Sequence, residues 1–197
     1  MKPNKTRILW LIIYASGSLI ATTLSSSAAP RLHGFDLSNL SIERKEIKQG
    51  GPPRDGIPAL FYPKFIPAAE ARYLKNDDRV LGVEINGIAK AYPLRILDRH
   101  EVVNDRFSNQ FVVVSYCPLC GSGMSFDASL DGRKTFGVSG LLYNSDVLLY
   151  DRETDSLWSQ ILEKSVSGPM VGQSLKSIVT LNTKWGSWKT SHPNTLV

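Results

Sequence analysis

Short apolar runs separated by turn residues recur along the chain and predict β-strands. Residues 79–85 alternate weakly between apolar and polar positions, and residues 88–92 form a second such run after Asn86-Gly87. Asn-Gly between two such runs is the strongest short-range signal for a β-hairpin. Residues 111–116 are β-branched and aromatic, which predicts a buried strand that runs directly into Cys117.

The second half of the chain continues this pattern, with few helical segments. Further strands are predicted at residues 135–138, 147–150 and 156–160. Asp131-Gly132 indicates another hairpin, and residues 68–74 are typical of a short helix. A last helix is expected near the C-terminus, capped by Thr183, with Trp185 and Trp188 on one face. Because the helices are too sparse for alternating βαβ units, we expect a mainly β (α+β) single domain with an antiparallel or mixed sheet, hairpins and a few short helices.

The start of the chain has the pattern of a secretory signal peptide. Its basic residues are Lys2, Lys5 and Arg7. An apolar stretch over residues 8–14 weakens towards Leu24 and gives way to small residues, which predicts cleavage after Ala28. The alternative is an uncleaved anchor, but the apolar run falls short of the roughly 20 residues that span a bilayer. We therefore expect residues 1–28 to be removed and the protein to be periplasmic or secreted, without stable membrane insertion.

The mature chain divides into an N-terminal arm and one domain. Residues 29–56 contain a charged stretch followed by turn residues, Gly50-Gly51-Pro52-Pro53 and Asp55-Gly56, which indicate an irregular, solvated arm. Residues 57–197 have a length that suits one domain. No internal repeat or low-complexity tract is apparent in the sequence.

Composition narrows the class of protein further. The 197 residues are 42% hydrophobic and 21% charged, which excludes a collagenous, disordered or polytopic membrane protein. Two cysteines are too few for a disulfide-dense scaffold. The net charge of +5 includes three basic leader residues, and the rest of the chain has 20 Lys and Arg against 18 Asp and Glu. A basic nucleic-acid surface is therefore not indicated.

The most informative motif is Cys117-Pro118-Leu119-Cys120-Gly121. Two cysteines at this spacing in an exported chain can form a metal site, a redox dithiol or a small structural disulfide. A disulfide closing so short a loop is worth only about 2 kcal/mol in the chain-entropy model, against about 3 kcal/mol for a fifteen-residue loop. A structural clip is thus the weaker use of the pair, although it stays open.

Metal binding is the leading hypothesis. Cys-Pro-x-Cys-Gly matches the tight turn of a zinc knuckle, and soft thiolates with imidazole also suit reduced copper. The remaining ligands would come from His33, His100, His192 or a carboxylate. We favour His100 because it lies just upstream of the strand that delivers Cys117, so that a hairpin could bring the two together. The predicted metal site therefore consists of Cys117, Cys120 and His100, with copper or zinc as the ion.

Thiol–disulfide exchange by Cys117 and Cys120 with a thiol-containing partner protein is the first alternative. It requires a lowered thiol pKa, which a helix N-terminus commonly supplies. The residues that follow the pair, Gly121-Ser122-Gly123, are poor helix formers, so any cation that lowers the pKa would have to come from elsewhere. The second alternative is the structural disulfide in a domain that binds a partner. Asn144, Trp158 and Gln160 either line the same pocket or belong to the sheet.

Other motifs give weaker signals. Asp151, Glu153 and Asp155 alternate as at the start of a calcium loop, but the sixth position is Ser156 and the twelfth is Leu162, so a polar turn is preferred. The sequence contains neither a nucleophile elbow nor a glycine-rich phosphate loop. Cys117 as a nucleophile with His100 as its base is disfavoured because a second cysteine so close would trap it as a disulfide.

Seven blocks in a fixed order carry a resemblance to a known family. They are residues 83–87, 91–97, 100–105, 116–123, 136–146, 150–154 and 156–160, of which 116–123 reads YCPLCGSG. Together they resemble the Domain-of-Unknown-Function 3179 family over roughly residues 57–197. The resemblance implies a prokaryotic origin and frequent export but no established activity. The resemblance also implies that family members often continue beyond the position of Val197.

Overall fold

The computed structural model describes residues 30–132 and 134–197, and the predicted signal peptide lies outside them. Helices α1 and α2 cover Leu94–His100 and Trp185–Ser191. The strands, β1 to β15 in chain order, are Arg31–Leu32, Phe35–Asp36, Ile47–Gln49, Leu60–Phe61, Arg79–Ile85, Ile88–Pro93, Val102–Phe107, Gln110–Cys117, Ser122–Asp127, Phe136–Tyr143, Asp146–Asp151, Leu157–Ser159, Lys164–Ser167, Lys176–Ile178 and Thr180–Lys184. Within the described part of the chain, neither helix is long and apolar enough to cross a membrane.

The strands form three main sheets and one small ribbon. Sheet I has the order β13-β12-β11-β10-β3, sheet II the order β14-β9-β8-β7-β4, and sheet III the order β15-β5-β6. The ribbon pairs β1 with β2. Neighbouring strands run antiparallel except for β4 and β7, which are parallel. The prediction of a mainly β domain with antiparallel and mixed sheets is therefore confirmed.

The clearest local prediction, the hairpin at Asn86-Gly87, is confirmed. β5 and β6 pair in register from Val80 opposite Pro93 to Ile85 opposite Ile88. Both turn residues have positive φ angles, 51° and 78°, which a two-residue turn of this handedness requires and which Asn and Gly adopt at low cost.

Three local predictions are wrong. Asp131-Gly132 does not make a hairpin, because the strands on either side, β9 and β10, belong to sheets II and I. Residues 68–74 form a series of turns rather than a helix. The last helix begins after Lys184, without a side-chain cap, so Thr183 does not cap it. Its two tryptophans nevertheless share the buried face, with exposures of 1% and 2%.

Most described residues of the N-terminal arm are exposed and most lie outside helices and strands, but a few of them attach the arm to the domain. β3 pairs with β10 at the edge of sheet I, opposite Leu141 to Tyr143. Phe35, Leu37 and Ile47 are buried in one hydrophobic cluster with residues of β10 and β11. The sequence analysis did not identify these buried residues, because they are few, do not recur at a regular spacing and lie among charged and turn residues.

The core that positions the cysteine motif lies where sheets I and II pack together. Val113 and Phe126 of sheet II are buried in one cluster with Phe136, Leu149 and Trp158 of sheet I. The rings of Phe136 and Trp158 meet edge to face at a centroid distance of 6.0 Å. Because the last residue of β8, Cys117, belongs to the same cluster, the motif is anchored at this junction.

Candidate functional site

The two cysteines lie at the tip of the hairpin that joins β8 to β9. Cys117 ends β8 and pairs with Ser122, the first residue of β9. Between them, the Gly121 amide donates a 2.8 Å hydrogen bond to the Cys117 carbonyl oxygen, and Gly121 has a φ of 69°, where glycine is favoured. Cys117 is buried and Cys120 is exposed, and both are free thiols in this structure.

A carboxylate from the other sheet completes a compact group. Asp146 begins β11, directly after the Asn144-Ser145 turn, whose residues have φ angles of 50° and 68°. Its Oδ1 atom lies 3.0 Å from Sγ of Cys120. One ligand atom each from Cys117, Cys120 and Asp146 falls within 4.8 Å of the others, so the three could hold one metal ion. The second oxygen of Asp146 accepts a 3.2 Å hydrogen bond from the Ile161 amide, which fixes the carboxylate.

Polar side chains surround this group and connect it to the buried interior. The Ser122 hydroxyl lies 3.0 Å from Sγ of Cys120 and 3.1 Å from Oδ1 of Asp146. It also contacts Oε1 of Gln160, whose Nε2 atom donates a 2.8 Å hydrogen bond to Oγ of Ser115. Gln160 and Ser115 are both fully buried. The chain of contacts thus runs from the interior of sheet II, through a residue that follows β12, to the exposed cysteine.

The contacts of this group outnumber its hydrogen atoms. Ser122 meets Cys120, Asp146 and Gln160, and Cys120 also meets Asp146, which makes four contacts between sulfur and oxygen atoms. The thiol and the hydroxyl provide one hydrogen each, and an ionised carboxylate provides none. Even a protonated Asp146 would raise the total only to three. With Oε1 of Gln160 towards Ser122, at least one of these contacts lacks a hydrogen of its own, and a cation among these atoms would relieve this crowding.

Burial controls the protonation of the two groups behind the motif. Burial, reinforced by the neighbouring Cys120 thiol and the Asp146 carboxylate, raises the pKa of Cys117 to about 12. Burial also raises the pKa of Glu101 to about 7. Glu101 lines a small cleft of about 20 Å³ together with Cys117 and Leu119. The thiol that enters the core is thus hard to ionise unless a metal ion replaces its proton.

His100, the ligand that the sequence analysis favours, is not a member of the group. It is the last residue of α1, and its Nδ1 atom donates a 2.8 Å hydrogen bond to the Pro58 carbonyl oxygen. His33 lies 3.1 Å from the Ser139 carbonyl oxygen through Nδ1. His192 stacks on Trp188 at a centroid distance of 3.7 Å and contacts Glu84. Among the described residues, the structure brings together the two cysteines with a carboxylate and not with a histidine.

The other candidates separate clearly. Gln160 contacts the site, whereas Trp158 lies in the core and donates a 2.8 Å hydrogen bond to Asp151. Asn144 forms part of the turn that precedes Asp146. Asp151 accepts hydrogen bonds from the Thr154 amide and hydroxyl, which supports the polar turn preferred over a calcium loop.

The sequence analysis missed Asp146 and Ser122 as site residues. Both lie inside blocks that carried the family resemblance, and Asp146 closes the block at 136–146. A carboxylate placed immediately before a strong apolar strand was the available signal. It could not be used without knowing that β11 would lie against the end of β8.

The fold and the site define a mainly β domain whose cysteine pair, at a hairpin tip, meets a carboxylate from a second sheet. The family model described as "Protein of unknown function (DUF3179)" matches residues 54–197, and the chain belongs to this family. Comparison with curated proteins and comparison with solved structures each gave no match.

Proposed function

We propose that this protein binds a transition metal ion, zinc in the first place, through Cys117, Cys120 and Asp146. The observation that carries the proposal is the position of their three ligand atoms within 4.8 Å of one another. Zinc accepts both thiolate sulfur, at about 2.3 Å, and carboxylate oxygen, at about 2.0–2.2 Å. Asp146 thus takes the place expected for His100.

The donor set also bears on which metal binds. Two thiolates alone would suit reduced copper, but a carboxylate oxygen is a harder ligand that suits zinc better. Three protein ligands would leave a fourth position, and the exposure of Cys120 favours the solvent side for it. An open position is typical of zinc sites that bind a water molecule or an exchangeable ligand rather than of closed structural sites.

Elemental mass spectrometry of the mature protein tests this function. The protein is purified without chelators and without a metal-binding tag, and Cys117→Ser and Asp146→Asn are measured beside it. We expect near-stoichiometric zinc in the wild type and its loss in both variants. If stoichiometric copper is found instead, the proposed site is supported and the bound ion is copper rather than zinc. Tight metal binding by the Cys117→Ser/Cys120→Ser double variant would overturn the site.

Thiol–disulfide exchange is the second candidate, because the pair combines an exposed cysteine with a buried one. The raised pKa of Cys117 makes Cys120 the attacking thiol and Cys117 the thiol that resolves the mixed disulfide. Cys117→Ser should then trap a mixed disulfide with a thiol-containing partner protein. A pair that does not react with glutathione or dithiothreitol under native conditions would exclude this function.

We further propose that the chain is exported to the periplasm or secreted. The support is the basic, apolar and small-residue pattern of residues 1–28. N-terminal sequencing of the protein from cell fractions tests it. A mature start at Ala29 outside the cytoplasm supports export, and an intact Met1 in the cytoplasm overturns it.

A further inference from the structure

A second cluster of reactive groups lies away from the cysteine motif, between sheets III and II. Lys90 of β6 and Asp105 of β7 meet there, with Nζ of the lysine 2.7 Å from Oδ2 of the aspartate. Lys90 is 7% exposed and Asp105 is 5% exposed. A lysine and an aspartate are almost never so fully buried unless they are paired, so each of these two residues depends on the other.

Two aromatic rings and two hydrogen-bonding partners lie against this pair. Nζ of Lys90 lies 4.4 Å from the ring centroid of Phe65 and 4.6 Å from that of Phe107. The same Nζ donates a 3.0 Å hydrogen bond to the Arg106 carbonyl oxygen. The hydroxyl of the buried Tyr92 donates a 2.7 Å hydrogen bond to the same Oδ2 atom that contacts the lysine.

The direct contact allows a proton to pass within the pair. Nζ donates a hydrogen bond to Oδ2, and passing one proton from Nζ to Oδ2 removes both charges from a site shielded from water. The products are an amine, which is a nucleophile, and a carboxylic acid, which is an electrophile. The Tyr92 hydrogen bond is aimed at the oxygen that would leave.

The strands hold the two groups in place. Lys90 pairs with Val83 inside the β5–β6 hairpin, and Asp105 pairs with Val112 inside the β7–β8 hairpin. Neither residue lies at a free end that could move away. Two reactants fixed in contact react as if at effective concentrations of about 10⁵ M or more, which makes an otherwise slow condensation accessible.

We propose that Lys90 and Asp105 condense into an intramolecular amide that joins β6 to β7. Nζ attacks the side-chain carboxyl carbon of Asp105, the bond between this carbon and Oδ2 breaks, and Oδ2 departs as water. The ammonium supplies both hydrogens of that water and keeps its third on the amide nitrogen. No electrons are gained or lost, so the reaction needs no oxidant or second substrate.

The cross-link gives the domain a covalent tie that its cysteines do not provide. It connects sheet III to the sheet whose β8 strand ends in Cys117. Tyr92 acts in the reaction by donating a hydrogen bond to the leaving oxygen. This inference does not depend on the metal site.

Mass spectrometry of the wild-type mature protein tests the proposal without any variant. The protein is denatured, reduced and alkylated, and we expect its mass to be lower than the sequence mass by one water molecule. Trypsin would no longer cut after Lys90, so residues 80–95 would remain together and be joined to residues 100–106 in one branched peptide.

Two variants control the result. Lys90→Met should have the mass calculated from its own sequence, without the loss of water. Lys184→Met, which removes an exposed lysine paired with Asp77, should still be lighter than its calculated mass by one water molecule. A full sequence mass in the folded wild type, or a water loss that maps to another site such as Asp131-Gly132, would overturn the proposal.

Discussion

Oδ1 of Asp146 lies 3.0 Å from Sγ of Cys120, although the two residues are 26 positions apart in the sequence. Asp146 begins a strand of sheet I, and Cys120 lies in a turn of sheet II. The contact therefore forms only when the two sheets pack, which ties the assembly of the candidate metal site to the folding of the whole domain.

Asp146→Asn tests the ligand role of this carboxylate. The amide has nearly the same shape but lacks the negative charge, so we expect zinc affinity to fall by more than about 10-fold. Losses of at least about 10-fold are usual even for residues that only hydrogen-bond to a metal ligand. Competition with a chromogenic chelator measures the affinity. Asp98→Asn, an exposed carboxylate on α1, is the matched control and should bind zinc as the wild type does.

Cys117→Ser and Cys120→Ser should differ in their effect on stability. Cys117 is 1% exposed within the core cluster, so a serine there buries a hydroxyl and should cost about 1–3 kcal/mol in the metal-free protein. Cys120 is exposed, and its replacement should cost less than about 0.5 kcal/mol.

Denaturant unfolding in the presence of a chelator, under reducing and oxidising conditions, measures the free energy of unfolding of both variants. Equal losses for the two variants, seen only under oxidising conditions, would instead favour the structural disulfide.

Gln160→Leu should weaken metal binding without removing a ligand. Gln160 connects the Ser115 hydroxyl to Ser122, and Ser122 contacts both Cys120 and Asp146. Losing the amide leaves Ser122 unsupported, for which we expect an affinity loss of about 10-fold to 100-fold. Zinc titration measures it, with unfolding of the metal-free protein measured in parallel.

The conservative change Gln160→Glu separates the two roles of this residue. It keeps an oxygen towards Ser122 and should bind zinc more tightly than the leucine variant. If both variants lose only stability and keep full affinity, Gln160 has a structural role alone.

The sequence identified the parts of the molecule that depend on local chemistry. Asn86-Gly87 specifies its own turn, and the apolar run before Cys117 reads directly as a strand. Which residue meets the cysteine pair depends instead on sheet packing. This packing brings Asp146 of β11 to the end of β8, whereas His100 is hydrogen-bonded to the Pro58 carbonyl oxygen. For the same reason the strand pairing of the N-terminal arm could not be predicted, because three scattered apolar residues anchor it.

Glu101→Gln should remove a pH dependence of stability. Burial raises the pKa of Glu101 in the folded protein to about 7, above its unfolded value near 4.3. The contribution of Glu101 to the free energy of unfolding is therefore fully present below about pH 4.3 and is lost as pH rises through about 7. Because the side chain is partly exposed, we expect a loss of about 1–2 kcal/mol in the wild type, after reduction for solvent screening.

Urea unfolding at pH 5 and pH 8 measures this difference. Glu101→Gln should be the more stable protein at pH 8, whereas Glu43→Gln, at an exposed position, should follow the wild type. Identical pH profiles for the wild type and Glu101→Gln would contradict the prediction.

Gly140→Ala tests whether the N-terminal arm packs on sheet I as the structure shows. Gly140 has a φ of 73°, and a Cβ atom there would lie 2.0 Å from the Pro52 carbonyl oxygen. The positive φ and the clash with backbone should together cost about 2–4 kcal/mol, and the arm should become sensitive to protease. Gly51→Ala is the control within the arm, because no atom lies within 4 Å of its added Cβ. If the arm were loosely attached, Pro52 would move aside and the two variants would unfold within about 0.5 kcal/mol of each other.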